Sequence, residues 1–275
     1  KGTNWQDEVF KTGVPILNSD LTISGGSEKI TYSVSGSHLD QEGIVGGDKS
    51  GFLRNTARIA LSADLSEKFK LRTNVIYTYF TRKTLNENGL GSVLFNALNV
   101  PATMTPYDAN GELTKVPIAG FGNEIINPLA QIENTYNDYN YKKINGNFGL
   151  DYKIFKGFTL SSSIGFNTSN SESKTFAKKL LYWINPSDKV FDVLRSSVNQ
   201  GATNDNDYSF DLFGTYTTKI AEHHNIVATI GNTIYKQWGN SFNATGFDVP
   251  NNSWEYADIS LTRGVPVAVN TAGYV

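Results

Sequence analysis

The chain has no cysteine, three histidines, one methionine and no apolar run long enough for a membrane-crossing helix. Each shortage excludes a class of chemistry. Without cysteine there are no disulfides, thiolate metal sites or cysteine nucleophiles. His223 and His224 are adjacent and would point to opposite faces of a strand, and His38 has no partner near it in sequence, so a zinc site is not expected. Basic and acidic side chains number 24 and 26, which gives no electrostatic case for nucleic acid. No Gly-x-Ser-x-Gly, Walker A or zinc-protease motif occurs, and the carboxylates are scattered, so no enzyme is expected. No cofactor is expected either. The best calcium candidates, Asp205-Asn206-Asp207 and Asp40/Glu42/Asp48, lack the spacing of an EF-hand loop. The missing apolar run excludes a spanning helix but not a spanning strand. No leader pattern is visible and the chain opens at Lys1, which reads as a piece of a longer precursor.

What is present is alternation. Leu53, Asn55, Ala57, Ile59, Leu61 and Ala63 interleave with Arg54, Thr56, Arg58, Ala60, Ser62 and Asp64. After Ser66-Glu67-Lys68, Phe69, Leu71, Thr73, Val75, Tyr77 and Tyr79 interleave with Lys70, Arg72, Asn74, Ile76 and Thr78. Period two puts the two sets on opposite faces of a sheet. Both runs are far longer than the usual strand of about 5 to 6 residues. Long strands with one apolar and one charged face suit a wall between lipid and water.

Similar patterns run from Leu17 to Gly25, Lys29 to Leu39, Tyr141 to Ile154, Phe158 to Phe166, Tyr208 to Ile220 and Asn225 to about Trp238, giving about eight or nine strands, with a further short one near Tyr256 to Thr262. A short helix is expected over Ser92 to Leu98, and Asp108-Ala109-Asn110-Gly111 reads as a turn. The connections near 27, 67, 156 and 222 are tight. That near 44 is longer, and long loops are expected over about 83–140, 170–205 and 239–255. In an antiparallel meander alternate connections share an end, so every tight turn falls at one end and every long loop at the other. Bacterial outer-membrane barrels show this asymmetry, with short periplasmic turns and long outer loops. Phe69, Phe155 and Phe158 at the turn end and Tyr77, Tyr79, Tyr235 and Trp238 at the loop end would form interfacial girdles.

Three stretches carry a resemblance: Asn4-Trp5-Gln6-Asp7-Glu8-Val9-Phe10, then Ser24-Gly25-Gly26-Ser27-Glu28, then Tyr32 to Ile44 ending in Asp40-Gln41-Glu42-Gly43-Ile44. With the strand opening Phe52-Leu53-Arg54, they come in an order that resembles the SusC/RagA family of TonB-dependent transporters. The match covers about residues 4 to 80; the rest agrees in texture. The resemblance implies an all-β fold, an antiparallel transmembrane β-barrel of 22 strands with an N-terminal plug. Residues 1–275 would be a partial barrel domain, with the plug and the remaining strands outside it. It further implies active import of glycan oligosaccharides or peptides, a SusD-like surface lipoprotein as lid, and energy from TonB-ExbB-ExbD. Two alternatives stay open: a secreted β-sandwich carbohydrate-binding or adhesin module, and a passive porin.

On that reading Arg54, Arg58, Lys70, Arg72, Asp151 and Asp211 line the lumen, and their mixed signs argue against a dedicated ion selector. Tyr107, Phe121, Tyr136, Tyr182, Trp183 and Trp254 are aromatics in irregular segments, suited to stacking on cargo.

Overall fold

The computed structural model describes residues 2–86, 89, 91–116, 125–182, 192–221 and 224–274. Among them nine strands form one antiparallel sheet in chain order: β1 (Ile16–Gly26), β2 (Ile30–Glu42), β3 (Gly51–Asp64), β4 (Phe69–Lys83), β5 (Thr135–Phe155), β6 (Phe158–Ala177), β7 (Ser197–Ile220), β8 (His224–Phe247) and β9 (Arg263–Tyr274). Three short helices lie at the loop end: α1 (Trp5–Val9), α2 (Val93–Asn99) and α3 (Pro128–Glu133).

Cross-strand partners point to the same face, so the register sorts the side chains. One face carries Leu17, Leu21 and Ile23; Ile30, Tyr32 and Val34; Ile59 and Leu61; Phe69 to Tyr77; Ile144 to Ile154; Phe158 to Phe166; and, on β7 and β8, Tyr208 to Ile220 and Ile226 to Ile234. The other face is mainly polar, interrupted by Ile76 and by the ring cluster Phe52, Phe80, Tyr139 and Tyr141 towards the loop end. Among the described residues no second sheet covers the apolar face: Leu17 is 55 %, Leu21 67 % and Ile230 81 % exposed. A β-sandwich would bury such a face in its core, so the single uncovered sheet does not fit that alternative.

The apolar set also climbs from strand to strand. The register carries Leu21 through Gly36, Ala57, Tyr77, Ile144, Thr168 and Asn206 to Trp238. On β8 the apolar set centres on Ile230, eight residues nearer the turn, after seven strand steps. With a rise of ~3.3 Å and a strand spacing of ~4.8 Å this stagger corresponds to a tilt of about 40°, inside the range for strands that close into barrels. Along β5 the apolar residues run from Ile144 to Ile154. At that tilt they span about 26 Å, close to the height of an outer-membrane apolar band.

The tight turns are made locally. Ser27 N–H donates to Ile30 O (2.7 Å), and Ser66 Oγ accepts from the N–H groups of Lys68 and Phe69 (3.2 Å each). Gly157 sits at φ +89°, and a Cβ there would lie 2.6 Å from Thr217 O. Gly157→Ala is therefore expected to cost about 1–3 kcal/mol through left-handed backbone strain and the displaced carbonyl. A lowered urea midpoint for the full-length protein in detergent would report it.

At the loop end the expected boundaries are corrected. β5 begins at Thr135 and β6 ends at Ala177, β7 begins at Ser197, and β8 continues to Phe247. The loops are therefore 84–134, 178–196 and 248–262, shorter than 83–140 and 170–205 and displaced from 239–255. The expected strand near 256–262 is instead two 3-10 turns, Trp254–Tyr256 and Ile259–Leu261, with β9 following. The physical reason is common to all. Beyond the apolar band both faces of a strand are polar, as in Asp138, Asn140 and Lys142 of β5 against Tyr139, Tyr141 and Lys143. Hydrogen-bond pairing continues there while the alternation that betrays it disappears. Tyr235 is also corrected: its register neighbour Ser209 places it on the polar face, outside any girdle. The stacked pair Phe69–Tyr152 (4.4 Å) and the contacts Phe155–Phe158 (5.2 Å) and Tyr208–Trp238 (6.1 Å) hold the two aromatic levels of the apolar face.

The buried core lies mainly in the crown of loops. Val9, Val45, Leu85, Val93 and Ala97 pack together, next to Trp5, Val100 and Met104. Trp5 Nε1 donates to Pro101 O (3.2 Å) and Thr3 Oγ1 to Met104 O (2.8 Å), which pins α1 against the 84–134 loop. Ser92 caps α2 through Phe95 N (3.1 Å), so the helix expected over 92–98 forms at 93–99.

Candidate functional site

The polar face of the wall and the crown are the two surfaces with chemistry. Arg54, Arg58, Lys70, Arg72, Asp151 and Asp211 all lie on the polar face. Arg72 donates to Asp151 Oδ1 (2.8 Å), which also accepts from Ser161 Oγ (2.7 Å). Lys70 lies 3.5 Å from Asp64. Arg58 Nε donates to Asn74 Oδ1 (2.6 Å). Asp211 accepts from Ser163 Oγ (3.1 Å) and Thr233 Oγ1 (2.7 Å), and Asp207 from Asn167 Nδ2 (2.8 Å). Between the charges run hydroxyls and amides: Ser161, Ser163, Asn167, Ser169, Ser171 and Ser173 on β6 alone. Such a surface holds water and polar groups.

The loop aromatics do not form one site. Phe121 and Trp183 lie outside the described residues. Tyr136 is in β5, not in an irregular segment, and packs against Trp254 (5.3 Å, stacked) and Phe176 (5.5 Å). This cluster also buries Val198, Val249 and Ala257, and it stands on the same side of the sheet as the apolar band, above it. Lys49 lies over the Tyr136 ring (3.8 Å) and Lys174 over Trp254 (4.3 Å), so both rings are already engaged. The 248–262 loop is tied down by Asp258, which accepts from Ser260 N (2.9 Å) and Ser260 Oγ (2.6 Å); the Ser260 hydroxyl bond holds its carboxyl below the usual aspartate range.

Tyr182 is buried beside Ile126 and Ala130, and burial pushes its hydroxyl up to about 12. The folded group keeps its proton above the unfolded value near 10, so this packing stabilises fully below pH ~10 and is lost as pH rises towards 12. In the full-length protein a Tyr182→Phe difference spectrum is expected to show no tyrosinate signal from this ring below about pH 11. Tyr107 is different. It is 54 % exposed at the start of a small hairpin (Tyr107 bridged to Leu113), whose turn is held by Asp108 Oδ1 accepting from Asn110 N (2.8 Å) and Glu112 N (3.0 Å).

The calcium candidates separate on the sheet. Asp205 and Asp207 lie within β7, with Asn206 on the opposite face, and Asp48 is in the 3-10 turn Gly47–Lys49 that follows β2, whose end carries Asp40 and Glu42. Among the described residues no three His, Asp or Glu side chains converge. His38 lies mid-strand on the apolar face, its Nδ1 2.8 Å from Asn55 Oδ1. The sequence reading missed α1 and α3. Both are under two turns long, and only the Asn127-Pro128 cap-and-proline start of α3 was there to be seen.

No family model matches the chain. Among curated proteins it is similar to TonB-dependent receptor P26 of Formosa agariphila (26 % identical, 90 % of this chain and 24 % of that protein). It is also similar to TonB-dependent receptor P3 of the same organism (28 % identical, 63 % and 17 %) and to TonB-dependent receptor SusC of Bacteroides thetaiotaomicron (28 % identical, 59 % and 18 %). The chain thus spans about a fifth of the length of the relatives it matches. Among solved structures, a chain of the RagAB peptide transporter superposes with TM-score 0.79 at 21 % identity, covering 99 % of this chain and 30 % of that one. The ferripyoverdine receptor of the outer membrane of Pseudomonas aeruginosa gives 0.50 at 11 % identity, over 95 % and 32 %. The fold is that of a segment of such a barrel, and the resemblance carried by residues 4 to 80 is borne out.

Proposed function

We propose, from the premise that this chain is a stretch of SusC/RagA-type TonB-dependent transporter barrel, that it forms part of the lipid-facing wall and outer crown of an outer-membrane importer. The carrying observation is the uncovered apolar face, about 26 Å high at the strand tilt, backed by a polar face of charges and hydroxyls. The tight turns would be periplasmic and the crown extracellular. Cargo too large for diffusion, glycan oligosaccharides or peptides, would pass along the polar face. A plug elsewhere in the full protein would close the lumen and a SusD-like lipoprotein would cover the crown. Energy would come from the inner-membrane proton gradient through TonB-ExbB-ExbD. Of the aromatics read as cargo-stacking candidates, Tyr107 is the described one that stands exposed on the crown, where it could meet cargo or lid.

A passive porin would share the wall but not the energy requirement. In cells expressing the full-length protein, uptake of its cargo is expected to stop on addition of a protonophore or deletion of tonB. Uptake that continues unchanged would assign a passive pore and refute the importer.

A further inference from the structure

A cavity of about 780 Å³ lies over β5 to β8, outside the wall and above the apolar band. Its floor is the row Asn140–Glu172–Ala202–Phe242. The register puts this row on the same face as Ile144, Phe166 and Ile234, so the cavity opens away from the lumen. The 248–262 loop folds onto that face and forms the upper wall. Ile259 N–H donates to Gln200 Oε1 (3.0 Å), and Gln200 Nε2 donates to Asp258 Oδ2 (3.4 Å). Ala202 is small, which leaves a gap two strand steps wide, about 10 Å, between Glu172 and Phe242. The site is thus built on paired strands and closed by a tied loop.

Its height is set by the strands. Asn140 stands four residues beyond Ile144, and Glu172 six beyond Phe166, the last apolar residues of the band on β5 and β6. At ~3.3 Å per residue and a tilt of about 40° they lie about 10 and 15 Å above the band. The phospholipid headgroup layer adds only about 5–7 Å to each side of the hydrocarbon core. The cavity therefore stands beyond the headgroups, at the level reached by sugars attached to a lipid.

The lining narrows the ligand. Three carboxylates, Asp138, Glu172 and Asp258, face one ammonium, Lys174, which disfavours a phosphate or an acidic sugar. The carboxylates do not converge on a metal position. Asp258 is taken up by Ser260, and Lys174 by the Trp254 ring. Asp138, Asn140 and Glu172 have no hydrogen-bond or ionic partner among the described residues. Phe242 is 52 % exposed, above the reach of lipid tails. Free acceptors, one free amide and an open ring face suit a hydroxylated ring. Its hydroxyls would donate to Asp138 and Glu172 and exchange bonds with Asn140, and its C–H face would lie against Phe242.

We propose that this cavity binds the sugar head of an outer-leaflet glycolipid, neutral or amino-substituted. The site is separate from the lumen and from transport. The inference rests on the apolar face standing in lipid, which a charge at Ile230 tests independently.

The test uses the full-length protein in phosphatidylethanolamine nanodiscs and two probes: lipopolysaccharide placed in the bilayer, and the lipid-free oligosaccharide released from it by mild acid. Native mass spectrometry reads the lipopolysaccharide retained by the protein. The free oligosaccharide is expected to compete for it. Glu172→Gln/Phe242→Ala is expected to weaken retention at least tenfold, and Glu172→Gln alone to weaken it less. Ser171→Ala/Thr203→Ala, on the opposite face of the same strands, should leave it unchanged. Protonophore-sensitive uptake is expected to be the same in all these variants, so the site and the importer reading fail separately. Retention that ignores Glu172→Gln/Phe242→Ala, or that lipid A displaces and the free sugar does not, puts the attraction in the lipid tails and overturns the site. Free oligosaccharide that binds while bilayer lipopolysaccharide does not overturns the glycolipid as its source.

Discussion

An arginine at Ile230 is expected to destabilise the full-length protein in phospholipid vesicles by about 2–4 kcal/mol, the cost of a cation on the lipid face near mid-bilayer. Ile230 is the centre of the β8 apolar set and 81 % exposed. In a water-facing sheet so exposed a side chain could be exchanged for arginine within about 0.5 kcal/mol, so the two environments predict results that differ in size. Thr229→Arg is the internal control. Thr229 lies on the polar face and loses only a hydroxyl contact to Thr215 (3.1 Å), so its cost is expected to stay below about 1 kcal/mol. The check is urea unfolding of both variants in vesicles. Equal costs at the two positions would remove the assignment of the apolar face to lipid. Ile234→Arg extends the test, because a position towards the edge of the band should cost less than its centre.

The band was legible in the sequence because a bilayer wall imposes period two with a sharp chemical contrast, and Leu53 to Tyr79 shows both. Those strands were placed with the correct faces, and the six charged residues assigned to the lumen share one face. The upper halves of β5 to β8 were not legible. Residues such as Asn170, Glu172 and Lys174 of β6 face water on one side and a polar neighbour on the other, and nothing in their composition separates a paired strand from a loop. Rows across the sheet were hidden for a different reason: Arg58 and Asp207 are far apart in sequence, and only the register of four strand pairs shows that they stand in one row. The loop aromatics show a third limit of pattern. Aromatic composition in a segment such as Trp254 to Tyr256 fits ligand stacking and core packing equally well. The contact of Trp254 with Tyr136 decides for packing.

The largest effect expected in the crown is at Asn127, which is fully buried and works at both ends of its amide. Its Nδ2 donates to Thr114 O (2.7 Å) and Pro106 O (3.0 Å), while its Oδ1 caps α3 by accepting from Leu129 N (2.9 Å). Pro106 O keeps a second donor in Thr114 N (3.0 Å), so the Thr114 carbonyl is the group exposed to loss. Asn127→Ala removes the cap, worth about 1 kcal/mol, and leaves a buried carbonyl without a donor, worth about 1–3 kcal/mol. Together these should speed amide exchange in residues 105–116 and 126–133 by about a hundredfold, with exchange in the β-strands unchanged. Asn127→Asp separates the two functions. The carboxylate still caps α3, where a negative charge is welcome, but it turns an acceptor on the Thr114 carbonyl. Burial and that carbonyl would raise its pKa, so the variant should be at least as labile as the alanine at neutral pH and recover as pH falls and the protonated acid can donate. If exchange in the crown is unmoved by Asn127→Ala, the amide is a bystander and the 84–134 loop is held without it, by its apolar contacts to Trp5 and Val9 and the hydrogen bonds from Trp5 and Thr3.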